Sequence, residues 1–172
     1  MEMDLHSYIR NIEDFPKKGV IFRDITPLLL SPEATSEALA RLCAQAEGLG
    51  VTKVAAVESR GFFFGSLIAH RLGVGYVPVR KKGKLPYDTI AMTYDLEYGT
   101  DSLEIHTDAI AKGEKVLVHD DVLATGGTAE AVVKLIEKAG GEVVLFSFLM
   151  ELKALGGTNK LKGYNVKCLM EF

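Results

Sequence analysis

The segment "VLVHDDVLATGGT", residues 116 to 128, combines two adjacent carboxylates with a turn of small and hydroxyl-bearing residues. Asp120 and Asp121 follow an apolar run of strand composition, and ligands of open parallel sheets bind at the carboxyl ends of the strands. Adjacent strand residues point to opposite faces of a sheet, so the pair suits two hydroxyls of a sugar better than one metal ion.

The turn after the carboxylates opens a predicted helix and consists of Ala124, Thr125, Gly126, Gly127 and Thr128. Free backbone N–H groups at a helix start, two hydroxyls, and glycines that permit close approach make a cradle for an anion. Either half alone would also fit a solvated strand end or an ordinary tight turn. Together they predict a sugar-phosphate site, and the chain has no P-loop, dinucleotide fingerprint, nucleophile elbow or H-E-x-x-H motif.

Short apolar runs alternate with helical patterns through the middle of the chain. The predicted strands are "KVAAVE" (53–58), "YVPVR" (76–80), "KVLVHD" (115–120) and "EVVLFSFLM" (142–150), and the predicted helices cover 61–73 and 128–141. Continuous apolar strands that alternate with helices are typical of a parallel sheet buried on both faces. The sequence therefore predicts an α/β fold with a mostly parallel central sheet flanked by helices on both faces.

The remaining segments have other patterns. Residues 81–106 alternate apolar and polar side chains around polar turns, which predicts an exposed β hairpin or flap. The first 50 residues predict a short helix, a turn, a brief strand at 20–22 and a long helix over 32–50, and 152–172 predicts a helix and a short strand. At 172 residues we expect one domain, 1–172.

Composition narrows the class of protein. With 20 basic and 23 acidic residues the net charge is -3, so there is no general basic field for nucleic acid. Cys43 and Cys168 form no C-x-x-C pair and fit two buried thiols in a reducing compartment. We expect a cytoplasmic protein with neither a nucleic-acid nor a membrane partner.

The segment 116–128 resembles the signature with which type I phosphoribosyltransferases bind 5-phosphoribosyl 1-pyrophosphate (PRPP). Four more segments are similar, in the same order, to motifs of the adenine-using members: "FRDITPLL" (22–29), "ESRGFFFG" (58–65), "RKKGKLP" (80–86) and "LEYGTDSLEIH" (96–106). The resemblance implies the type I fold with a β flap (about 81–106) and a small hood (about 1–30). It also implies transfer of 5-phosphoribosyl from PRPP to adenine N9 in purine salvage, giving AMP and pyrophosphate, and a homodimer.

The resemblance also implies which residues act. Arg60 corresponds to an arginine that contacts pyrophosphate, with Lys81 and Lys84 as helpers, and Glu97 to a flap glutamate near the purine, with Tyr98 beside it. The implied PRPP-binding residues are Asp120, Asp121, Ala124, Thr125, Gly126, Gly127, Thr128, Arg60, Lys81 and Lys84. Mg²⁺ is the implied cofactor, held mainly by substrate and water.

For the base, the resemblance implies a sandwich between Phe22 and Val122, with backbone groups of Val20 and Arg23 at the adenine edge. Leu149 and Glu151 lie in a segment that the family also uses near the base.

Two positions depart from the family pattern, and two other functions remain open. Glu58 stands where aspartate is common, before a peptide bond that is cis in the family, and His119 replaces an aliphatic or acidic residue. The alternatives are a transferase for 6-oxopurines and a PRPP-sensing regulator that binds nucleic acid, which the net charge disfavours.

Overall fold

The computed structural model describes residues 3–95 and 99–172. The chain divides into two compact units, Met1–Arg41 and Leu42–Phe172. One domain over residues 1–172 stays a prediction.

The N-terminal unit contains a small antiparallel sheet. After a 3₁₀ turn at Leu5–Tyr8, strand β1 (Arg10–Ile12) pairs with β2 (Phe22–Asp24), and the short helix α1 (Thr26–Leu30) follows. The predicted N-terminal helix is therefore a single 3₁₀ turn. Strand β1 was not predicted, because its three residues are all exposed and show no alternation.

Helix α2 (Pro32–Ala44) begins in the first unit and ends in the second. The sequence predicted a helix to residue 50, which is wrong by six residues. Gly48 and Gly50 adopt φ values of 73° and 66°, so the chain turns where the helix was expected to continue.

The larger unit is built on a seven-stranded sheet. Its strands are β3 (Lys53–Val57), β4 (Gly75–Lys81), β5 (Thr89–Asp95), β6 (Thr100–His106), β7 (Lys115–Leu123), β8 (Glu142–Glu151) and β9 (Val166–Glu171). They lie in the order β5-β6-β4-β3-β7-β8-β9; β4, β3, β7, β8 and β9 are parallel, and β5 and β6 form an antiparallel pair beside β4. The mostly parallel sheet and the hairpin within residues 81–106 are thus confirmed, but Leu103, Glu104 and Ile105 of β6 are buried, where the sequence predicted an exposed hairpin.

Two helices cover opposite faces of this sheet. Helix α3 (Gly61–Leu72) brings Gly65 so close to Ala56 that a Cβ on the glycine would lie 2.3 Å from the alanine methyl. Helix α4 (Gly127–Ala139) packs Val132 into a core with Ala55, the strand neighbour that points the other way. Both helices end at a left-handed glycine, and helices on both faces are confirmed.

The segment after β8 contains no α-helix, contrary to the prediction. Two 3₁₀ turns, Lys153–Leu155 and Gly157–Leu161, lead to β9. A Cβ on Gly157 would lie 2.4 Å from the Ala124 carbonyl oxygen, so the turn packs its backbone against the loop after β7. This close approach requires glycine.

In the part of the chain that the structure describes, no helix is long and apolar enough to cross a membrane. Cys43 and Cys168 are free thiols.

His119 is a core residue of β7. It is fully buried, with its ring edge-on to Phe64 at a centroid distance of 6.4 Å. Burial lowers the pKa of His119 to about 4, although the Ser147 backbone opposes the shift. The side chain is therefore neutral near pH 7.

This buried histidine predicts a loss of stability in acid. The pKa of His119 in the folded protein, about 4, lies below its ordinary value of 6.5. The contribution of the neutral side chain to the free energy of unfolding is therefore fully present above pH 6.5 and is lost as the pH falls from there through 4. The loss should approach about 3 kcal/mol, at about 1.4 kcal/mol per pKa unit. His119→Leu should remove that part of the pH dependence, measured as the free energy of unfolding in urea between pH 7 and 4.

His70→Leu, at an exposed position of α3, serves as the matched control and should leave the slope of stability against pH as it is in the parent. An unchanged slope in His119→Leu would contradict the assignment.

Candidate active site

The carboxyl ends of three neighbouring parallel strands, β4, β3 and β7, meet at one edge of the sheet. The loop with Lys84 follows β4, and the turn with Arg60 follows β3. Asp120 and Asp121 lie in the second half of β7, which runs to Leu123, three residues beyond its predicted end. The sheet thus gathers three separate sequence motifs at the edge where such folds bind ligands.

The two carboxylates have different surroundings. Asp121 is buried, whereas Asp120 is half-buried and lines a pocket. The Asp121 backbone N–H donates to Asp120 Oδ1 at 2.8 Å, and a Cβ on Gly61 would lie 3.0 Å from the same oxygen. Desolvation raises the pKa of Asp120, the negative charge of Asp121 raises it further, and Arg60 opposes both. The surrounding protein stabilises the negative charge of Asp120 poorly, so hydroxyl donors of a bound ligand would stabilise it.

The predicted anion cradle lines the same pocket. Residues 124–128 join Asp120 and Val122 in its wall. Gly126 is the N-cap of α4 with φ 82°, and the first residues of the helix line the pocket, which places their free backbone N–H groups there. A Cβ on Gly126 would lie 2.5 Å from the Gly157 carbonyl oxygen. Asp120 and the helix start therefore line one pocket, and the binding of a sugar phosphate there stays a prediction.

Arg60 lies directly against the carboxylate pair. Its Nε is 2.9 Å from Asp121 Oδ2, and its side chain is 41% exposed, so the guanidinium contacts the buried acid and still faces solvent. The Glu58–Ser59 peptide bond before it is cis, as the resemblance implied. Arg60 can therefore present its guanidinium to an anion that binds beside Asp121.

Glu58 connects the turn after β3 to the loop after β4. Its carboxylate accepts from the Lys81 backbone N–H at 2.9 Å and from Arg80 Nε at 3.2 Å, and Lys84 Nζ lies 3.3 Å away. Burial alone would raise the pKa of Glu58, but these donors outweigh it and lower that pKa. The Lys81 ammonium turns instead to Asp101, 3.2 Å away. The structure thus places Lys84 next to the Arg60 turn and pairs the Lys81 side chain with the flap.

The residues predicted to hold the base fall in both units. Phe22 and Arg23 lie on β2, with Val20 just before it, and the Phe22 ring meets Phe15 edge to face at 5.2 Å. Val122 lies in the pocket wall of the larger unit. Joint contact of these residues with a base stays a prediction.

The other residues predicted to lie near the base are Glu97, Tyr98, Leu149 and Glu151. Glu97 and Tyr98 lie outside the described residues. Leu149 and Glu151 are buried on β8. Phe148 lines the pocket, and its neighbour Leu149 points to the opposite face of the sheet. Within residues 3–95 and 99–172, no group of three or more His, Cys, Asp or Glu side chains is arranged to hold a metal ion.

Two charged residues near the site were not predicted. A Cβ on Gly127 would lie 3.6 Å from Lys160 Nζ, so this exposed lysine adds positive charge beside the cradle. Glu104 is buried at 4% exposure and bonds to the loop that carries Lys84. The only signal for Glu104 was a charged residue between Leu103 and Ile105, two apolar residues of one strand.

These features define an α/β protein with a pocket at the end of a central strand, lined by a carboxylate and by the start of a helix. A phosphoribosyl transferase domain model matches residues 32–169. An adenine phosphoribosyltransferase of Christiangramia forsetii is 59% identical over 170 residues, which is 99% of each chain. The crystal structure of the adenine phosphoribosyltransferase from Thermoanaerobacter pseudethanolicus superimposes with a TM-score of 0.95 at 51% identity, covering 98% of each chain.

A third relative is the Saccharomyces cerevisiae adenine phosphoribosyltransferase complexed with adenine and an imino-altritol bisphosphate. It has a TM-score of 0.90 at 37% identity, with 96% of each chain covered. The chain therefore belongs to the type I phosphoribosyltransferases, in the adenine phosphoribosyltransferase family. It is an enzyme of the pentosyltransferase class.

Proposed function

We propose that this enzyme transfers the 5-phosphoribosyl group of PRPP to N9 of adenine, releasing pyrophosphate and AMP, and so serves purine salvage. One observation carries the proposal: Asp120 and the anion cradle line one pocket in a chain 59% identical to an adenine phosphoribosyltransferase. Roles for individual residues follow from their contacts at this pocket.

The sugar phosphate is held by the β7–α4 region. Asp120 and Asp121 accept hydrogen bonds from the ribose hydroxyls, and the poorly compensated charge of Asp120 favours such donors. The backbone N–H groups of residues 124–128 and the Thr125 and Thr128 hydroxyls bind the 5-phosphate at the positive end of α4. These contacts fix C1 of the ribose relative to the incoming base.

Cleavage of the bond from C1 to pyrophosphate leaves an oxocarbenium-like sugar and a leaving group that gains negative charge. Arg60 and Lys84 supply cations at the ends of β3 and β4, where the pyrophosphate of a ribose bound at β7 would extend. Lys81, paired with Asp101, joins them by exchanging that partner for a phosphate.

Adenine N9 then forms the new bond to C1 and loses its proton. Phe22 and Val122 provide apolar surfaces for the two faces of the ring, and Val20 and Arg23 provide backbone groups for its edge. Glu97 takes or relays the N9 proton. Adenine bound in the Saccharomyces cerevisiae relative supports a base site in this family.

Mg²⁺ is the cofactor of this proposal, held mainly by the substrate and by water. Asp120 and Asp121 fit such an ion, because carboxylate oxygens accept hydrogen bonds from the water that Mg²⁺ retains. When bound, the ion neutralises pyrophosphate charge. We also propose that the enzyme is a cytoplasmic homodimer; its free Cys43 and Cys168 suit a reducing compartment, and sedimentation would test the subunit number.

The reaction is tested with purified protein, Mg²⁺ and PRPP, and with adenine, hypoxanthine, guanine, xanthine and orotate in separate reactions. We expect pyrophosphate and AMP with adenine and no nucleotide with the other bases. Chromatography of the nucleotide and an enzymatic pyrophosphate assay measure the two products independently.

Each other result has a definite meaning. Turnover of an oxopurine would agree with the assigned phosphate cradle but contradict the residues assigned to the base. Binding of PRPP without turnover of any base would contradict the enzyme and favour a regulator.

A further inference from the structure

Glu104 is a buried carboxylate that faces the loop after β4. It lies on β6 at 4% exposure, between Leu103 and Ile105, which are both core residues. Burial of an ionised carboxylate is costly unless hydrogen bonds replace its water. A carboxylate at such a position therefore needs donors from the protein.

Within the described residues, the hydrogen-bond donors to Glu104 come from one short segment, residues 83–89. Oε1 accepts from the backbone N–H of Gly83 at 3.0 Å and from that of Leu85 at 3.4 Å. Oε2 accepts from the Thr89 hydroxyl at 3.4 Å. The two backbone donors stand immediately before and after Lys84, so the carboxylate holds both sides of the lysine.

Other contacts of β6 shape the same loop. The Lys82 backbone N–H donates to the Ser102 carbonyl at 3.1 Å, and the Tyr87 ring packs edge-on to His106 at 5.9 Å. Gly83 turns the chain with φ 85°. Contacts with β6 thus hold residues 82–88 in place, and the Glu104 side chain extends into the turn at Gly83.

We infer that Glu104 is a positioning residue that aims Lys84 at the pyrophosphate of PRPP. The inference rests on the proposed function, because it takes pyrophosphate to be the ligand of Lys84. Glu104 acts through the backbone of the loop, so it should affect binding of PRPP and pyrophosphate and leave binding of adenine unchanged.

Two substitutions separate the reach of the side chain from its charge. Glu104→Gln keeps an oxygen at the two backbone donors and places its NH₂ toward Thr89, whose hydroxyl can accept. Glu104→Asp keeps the charge but withdraws the oxygens by one methylene. We expect Glu104→Gln to resemble the parent, and Glu104→Asp to raise the KM for PRPP about tenfold, as a loss of about 1.4 kcal/mol in binding would.

Pyrophosphate binding gives a readout that does not depend on turnover. Calorimetric titration with pyrophosphate and Mg²⁺ should show the same tenfold weakening in Glu104→Asp. In a Lys84→Ala background the aspartate should cause no further loss, because its effect passes through the lysine.

The inference is overturned if Glu104→Gln is impaired as much as Glu104→Asp, or if the Glu104 and Lys84 effects multiply. It is also overturned if Glu104→Asp lowers only the Tm, or weakens adenine binding equally. Failure of the parent to use adenine, with pyrophosphate binding still dependent on Glu104, would contradict the proposed function and leave this inference standing.

Discussion

Replacement of both Asp120 and Asp121 by asparagine should lower kcat/KM for PRPP by about a thousandfold, the upper range for loss of a group that stabilises developing charge. Ribose hydroxyls would lose their strongest acceptors, and the carbon that becomes positive in the transition state would lose both nearby negative charges. The fold should survive, because the neutral amides remove the charge repulsion that raises the pKa of Asp120.

Steady-state kinetics with PRPP as the varied substrate measures this effect, and thermal unfolding measures the fold. Asp108→Asn removes a negative charge from an exposed position between β6 and β7 and should leave both measurements unchanged. Full activity in the double variant would show that the site is assigned to the wrong residues.

The sheet and its helices could be predicted because their residues carry strong local signals. Val54–Val57 and Val116–Val118 are continuous apolar runs buried on both faces, so their strands could be recognised without knowledge of their neighbours. Gly73 and Gly140 marked the ends of α3 and α4 because a left-handed residue favours glycine.

The segments that were predicted wrongly depend on contacts between distant parts of the chain. Gly157 departs from a helix because its backbone packs against Ala124, 33 residues earlier in the sequence. Nothing in the spacing around either residue indicates that approach. A helical pattern after β8 could therefore be read from the sequence, whereas the 3₁₀ turns could not.

The candidate site shows the same division. Asp120, Asp121 and residues 124–128 are one continuous segment, so their grouping follows from the chain itself. Other contacts of the site require the strand order β6-β4-β3. These are the pairs of Lys84 with Glu58 and of Lys81 with Asp101, and the hydrogen bonds of Glu104 to the loop after β4. That order depends on the packing of the whole sheet and cannot be predicted from a short motif.

Arg60→Ala should lower kcat by about a hundredfold or more, because it removes the donor that the proposed function assigns to the departing pyrophosphate. It should also reduce stability by about 2 kcal/mol, since Asp121 would remain buried without the guanidinium, a cost moderated by the solvent exposure of Arg60. The Arg60 Nε lies 2.9 Å from Asp121 Oδ2, whose side chain is only 4% exposed.

The two effects can be separated with a second substitution. Arg60→Ala combined with Asp121→Asn removes the unpaired charge, so its Tm should return toward that of the parent while its activity stays well below that of Asp121→Asn alone. Arg71→Ala, which removes an exposed guanidinium from the last turn of α3, is the matched control for charge. If the activity of the double variant equalled that of Asp121→Asn alone, Arg60 would matter only as the partner of Asp121, and the pyrophosphate would have to be bound by other cations.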